Sequence, residues 1–77
     1  MAAQWTELEP ALLEAHRRQD TGRLAELYLK AGEAAEAEGD TDKAGFFLVH
    51  AYVYALEEGM ALANEIHARL KRLGREQ

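Results

Sequence analysis

The sequence predicts an all-α fold of four antiparallel helices, and three observations predict it. Fifteen of the 77 residues are alanine and one is proline, a composition that favours helix nearly everywhere. Apolar residues recur at spacings of three and four, and nothing alternates with period two for long enough to suggest a strand. Turn chemistry falls at Gln19-Asp20-Thr21-Gly22, at Gly39-Asp40-Thr41 and at Glu58-Gly59. Connections this short send each helix back against the one before it.

The first helix, about 6–18, has two candidate starts. Thr6 with Glu9 reads as a capping box, whereas Pro10 suits the first helical position, where no backbone donor is needed. Either start leaves Trp5, Leu8, Leu12 and Ala15 on one apolar face. Trp5 is expected to pack in the core or at its edge, as amphipathic aromatics do. The second helix, roughly 23–38, places Leu24, Leu27, Tyr28, Ala31 and Ala35 on one face and Glu26, Leu29, Glu33 and Glu36 on the other. Leu29 is thus an apolar residue within an acidic face, whose plainest role is solvated charge that keeps a small protein soluble.

The third helix is unlike its neighbours. Residues 44–56 form a run whose only conventionally polar member is His50. At 1.5 Å per residue the run spans roughly 20 Å, too short for a hydrocarbon core of about 30 Å. Asp40, Asp42 and Lys43 close it on one side and Glu57 and Glu58 on the other, so a helix held within protein is the better reading. Ala44, Leu48, Ala51 and Ala55 fall on one side of it, and Phe46, Val49, His50 and Val53 on the opposite side. A helix apolar all round is buried all round. Any part its three neighbours fail to cover becomes an exposed apolar patch, which usually marks an association site. The fourth helix, roughly 60–73, carries Ala63, Ile66, Leu70 and Leu73 on one face and Glu65, Arg69 and Arg72 on the other. Its basic residues gather near the C-terminal end, where they complement the helix dipole.

Composition narrows the function. A net charge of −5, with residues 26–42 carrying six acids against Lys30, argues against nucleic acid as a partner. The chain has no cysteine, so neither a disulfide nor a thiolate zinc site staples it, and a reducing compartment is its natural setting. One domain of this size draws only about 3 to 5 kcal/mol of net stability from its core, which makes oligomerisation an available reinforcement. MAAQWTELEP has no basic region followed by an apolar core, so no secretory signal is expected and the cytoplasm is the expected location.

Catalysis fits poorly. The sequence holds no Gly-rich phosphate loop, no H-E-x-x-H, no cysteine nucleophile and no nucleophile elbow. His16, His50 and His67 lie on three different predicted helices. His50, with Glu57 two turns further along its face, could act as a base or a metal ligand, but an interior or interface histidine with local partners is the commoner case. Nothing in the spacing of the three requires a shared metal. The expectation is therefore a chain with no catalytic residues, no metal and no cofactor. A small metal- or ligand-responsive helical protein using these histidines is the alternative.

The first two turns echo each other. Asp20-Thr21-Gly22-Arg23-Leu24 and Asp40-Thr41-Asp42-Lys43-Ala44 share an acid, a threonine, a variable residue, a base and an apolar residue, the pattern of a capped return helix. Gly39 can adopt the left-handed conformation that ends the helix before it. With these features, residues 25–58 resemble a tetratricopeptide repeat, a 34-residue helix pair with the pattern W-x2-L-G-x2-Y, then A-x3-F, then P. Tyr28 stands at the tryptophan, Ala31 at the leucine, Gly32 at the glycine and Ala35 at the tyrosine. Ala44 falls on the alanine, Leu48 replaces the phenylalanine, and Ala51 takes the next small position. Leu56 stands where the proline would end the second helix, so that helix is expected to run on to Glu58.

One recognisable unit with two flanking helices leaves two architectures open, a repeat-like stack of helical hairpins and a compact four-helix bundle. In either case the expected function is a non-enzymatic protein–protein interaction module, an adaptor or accessory subunit that docks onto a protein partner or forms a homo-oligomer through its helix faces. Phe46, Val49, His50 and Val53 are the apolar candidates for that contact. The resemblance adds a polar set: in such repeats the first helix of the pair lines the concave surface, which would turn Glu26, Leu29, Glu33 and Glu36 toward a basic or amphipathic segment.

Overall fold

A computed structural model describes residues 2–74, with side chains described for residues 7–74. Four helices follow one another: α1 (Ala2–Arg18), α2 (Thr21–Ala37), α3 (Thr41–Glu57) and α4 (Leu62–Arg72). No strand occurs among the described residues. The helices form a stack. α1 packs on α2, α2 on α3 and α3 on α4, with the α2–α3 contact the most extensive. A square bundle would close α1 against α4, whereas this molecule measures 32 × 31 × 14 Å along its principal axes, the shape of a slab.

The turns follow from their sequence. Asp20 Oδ1 accepts from the Arg23 amide at 3.2 Å, and Asp40 Oδ1 accepts from the Lys43 amide at 3.1 Å. The echo between the two segments is therefore one capping device used twice, each aspartate satisfying an amide that the first helical turn leaves unpaired. α2 ends on Gly39, whose φ of +82° is a left-handed conformation. There the Gly39 amide donates to the Glu36 carbonyl at 2.9 Å and the Asp40 amide to the Ala35 carbonyl at 3.0 Å, which pairs two carbonyls at the helix end. α1 ends with the same two bonds around Gln19, a non-glycine at φ +56°. Replacing Asp40 by alanine is expected to lower stability by about 1 kcal/mol, read as a fall in the midpoint of urea unfolding followed by circular dichroism.

Several boundaries differ from the sequence expectation. α1 begins at Ala2 and holds Pro10 inside it, where neither Thr6 nor Pro10 marks its start. Proline in a helix removes one backbone hydrogen bond and crowds the preceding turn. Pro10 lies on the exposed side of α1, away from the packed face. α3 stops at Glu57, with Glu58 as its C-cap, and α4 starts at Leu62 after a turn with no side-chain cap. Trp5, expected on the packed face of the first helix, has its side chain outside the described residues.

The core has two parts. One joins α2, α3 and α4 through Ala25, Leu48, Ala51, Ala55, Ala63, Ile66 and Leu70. The other joins α1 and α2 through Leu8, Ala15, Leu24, Leu27 and Ala31. Tyr28 and Tyr54, both half-buried, border each part and tie them together. Alanine dominates where helices cross because its small side chain lets backbones approach. Gly32 takes this furthest: a Cβ placed on it would lie 2.7 Å from Leu48 Cδ2 and 2.8 Å from Leu48 Cγ. Among the described side chains, none that is polar or charged is buried.

Candidate interaction surface

The run on α3 is covered on one side only. Ala44, Leu48, Ala51 and Ala55 are fully buried against α2 and α4, while Phe46, Val49 and Val53 remain 58%, 45% and 46% exposed. Neither α1 nor α4 closes over them. Leu56, at 54% exposure, continues the same stripe. The sequence reading did not include Leu56 in the candidate set, although its spacing from Val53 repeats that from Phe46 to Val49. The stripe therefore runs from the second turn of α3 to its last, with Asp42 beyond one end and Glu57 at the other.

His50 belongs to the flank of the stripe. Its Nδ1–H donates to the Phe46 carbonyl at 2.9 Å, which holds the ring back along its own helix. The ring lies 4.5 Å from that of Phe46 and 5.2 Å from that of Tyr28, centroid to centroid. Tyr28 in turn stacks on Tyr54 at 5.8 Å and meets His16 edge-on at 6.0 Å. His16 Nε2 and the Tyr28 hydroxyl share a hydrogen bond of 3.0 Å. A continuous aromatic surface thus passes from α3 across Tyr28 to α1. Burial, followed by the nearby Tyr54 hydroxyl, pushes the Tyr28 phenol above its usual pKa, so it stays neutral and keeps its proton for this network.

Beyond Tyr28 lies a shallow groove of about 320 Å³ bordered by Glu9, Leu12, Leu13 and His16. Leu13 stands at its edge, 72% exposed, and is a second apolar residue outside the candidate set drawn from the sequence. On the far side of α1, Glu14 binds Arg17 at 2.6 Å and Arg18 at 2.7 Å. Those two hydrogen bonds hold its carboxyl below the ordinary carboxylate pKa.

The acidic face of α2 is occupied differently. Leu29 is half-buried against the α2–α3–α4 part of the core. Glu33 Oε2 lies 3.0 Å and Glu36 Oε1 3.6 Å from the Arg69 guanidinium on α4, and Glu65 Oε2 lies 3.9 Å from it. Only Glu26, paired with Arg23 at 3.4 Å, keeps to the surface away from α4. The four residues therefore do not form one open face: α4 folds over three of them, because its basic end is the nearest partner for the carboxylates of α2. Arg69, read from the sequence as part of the outward side of the fourth helix, is the residue that docks α4 on α2.

The histidines do not converge. His16 meets Tyr28, His50 meets Phe46 and Tyr28, and His67 lies 5.5 Å from Tyr52, ring to ring. Among the described residues no group of three His, Cys, Asp or Glu side chains could hold a metal ion, and no helix is long and apolar enough to cross a membrane. Comparisons with protein-family models, with curated proteins and with solved structures each return no match.

Proposed function

We propose that this chain is a non-enzymatic protein–protein interaction module, an adaptor or accessory subunit working in the cytoplasm, that docks through the outer face of α3. The observation that carries the reading is the apolar stripe: Phe46, Val49, Val53 and Leu56 stand in a line on one helix, each 45% exposed or more. Scattered apolar residues on a surface need no explanation, whereas a contiguous line of them marks a contact. The close α2–α3 crossing at Gly32 and Leu48 supports a repeat-like hairpin as the scaffold that presents this helix.

Replacing Phe46 by aspartate tests the proposal. The ring is more than half exposed, so the charge enters water in the free chain but would be desolvated in a complex. The expected result is unchanged helical circular dichroism with loss of whatever protein the wild-type chain retains on affinity purification from its native host. A Phe46→Asp chain that keeps every associated protein removes the α3 face from the function.

A further inference from the structure

We propose that the outer stripe of α3 pairs antiparallel with the same stripe of a second copy of this chain, which rests on the docking reading above and names its partner. Phe46, Val49, Val53 and Leu56 follow one another at intervals of three, four and three, the seam spacing of a two-helix coil. Steps of seven residues place Lys43, His50 and Glu57 along one flank of that seam. The other flank carries Gly45 and Tyr52, with Gly59 just past the helix end.

Two helices related by a two-fold axis perpendicular to both present the same flank to each other in reverse order. The first flank then sets Lys43 against the Glu57 of the second copy, Glu57 against its Lys43, and the two His50 side chains together at the axis. The seam matches in the same register, with Phe46 opposite Leu56 and Val49 opposite Val53, large against large and small against small. A parallel pair would instead face the charged flank with the glycine and tyrosine flank, and neither charge would meet its opposite. Flanking charges of this kind set partner and orientation in paired helices.

Two further observations favour a second copy. Among the described residues the exposed large apolar side chains lie on α1 and α3 alone. A head-to-tail contact would set the stripe against at most the single exposed leucine of α1, Leu13, while a self-complementary one satisfies both stripes and closes. Area agrees: the stripe exposes on the order of 350 Å² in each copy, so two copies with their flanks approach the roughly 1,000 Å² of a specific interface.

The test is a charge swap read by light scattering after size exclusion and by sedimentation over a range of concentrations. The wild-type chain is expected to dimerise. Lys43→Glu and Glu57→Lys are each expected to raise the dimer Kd by about tenfold, since either one creates two like-charge pairs. Both substitutions suit the helix dipole, an acid in the first turn of α3 and a base in its last, so a weakened fold does not account for the loss. An equimolar mixture of the two single variants restores opposite charges at both contacts and is expected to restore the dimer. A dimer indifferent to both swaps, or a mixture that stays monomeric, overturns the antiparallel pairing. A wild-type chain that is monomeric at near-millimolar concentration, yet loses a captured protein on Phe46→Asp, overturns self-pairing and leaves the docking face to a different protein. A chain that neither dimerises nor loses any captured protein on Phe46→Asp sinks the docking reading as well.

Discussion

Replacing Leu48 by alanine is expected to leave much of the chain unfolded at room temperature. Leu48 is fully buried and is, with Ile66 and Leu70, one of the largest side chains so enclosed. It joins α3 to α2, the broadest contact in the molecule. Removing the isobutyl group forfeits its transfer energy and leaves a cavity, together about 2 to 5 kcal/mol for such a site. A single core of this size supplies only about 3 to 5 kcal/mol in total, so the loss is comparable to the whole stability. Helical circular dichroism measured against urea should show a transition beginning near zero denaturant. A loss below about 1 kcal/mol would mean that Leu48 is a peripheral contact and that the stack is held elsewhere.

The second large effect is expected at the residue facing it. Gly32→Ala would ordinarily stabilise a helix by about 1 kcal/mol through propensity alone. Here the new methyl would meet Leu48 Cγ and Cδ2 at 2.8 and 2.7 Å, closer than packed carbons approach. Leu48 has no exposed side into which to retreat, so overpacking of about 1 to 3 kcal/mol outweighs the propensity gain, and the variant is expected to be less stable. The pair also predicts a sign of coupling. In the double variant Gly32→Ala, Leu48→Ala, the added methyl enters the space that the leucine vacates. Its destabilisation should fall clearly below the sum of the two single effects. Additive costs would show that the two residues do not share the crossing.

How much of this was legible in the sequence depends on how local its physics is. The three turns could be read because each rests on groups within a few residues: Asp20 and Asp40 on amides three positions on, and Gly39 and Gly59 on their own φ. The start of α1 was misplaced because Thr6 and Pro10 are local signals, whereas the helix runs from Ala2 through Pro10, which it carries on its exposed side. The buried side of α3 was legible from its alanines and Leu48, since period and residue size agree there. Which part of the opposite side stays bare was not, because that depends on where α1 and α4 settle. His50 turned toward its own backbone and Tyr28, and Leu56 joined the stripe. The acidic face of α2 was misjudged for a similar reason: its charges and those of Arg69 lie more than thirty positions apart, and a helical projection treats each helix alone.

The slab built from consecutive helices has a kinetic side. With α1 on α2, α2 on α3 and α3 on α4, almost every contact joins segments that are neighbours along the chain. Folding then closes only short loops, and the entropic barrier to each closure is small. Contact order this low belongs to chains that fold in microseconds to milliseconds. The hairpin of α2 and α3 is the natural nucleus, since either outer helix can add to it without waiting for the other. A second copy would meet an α3 that is already formed, so assembly would be a docking of folded surfaces, its speed set by encounter and not by ordering of the chain.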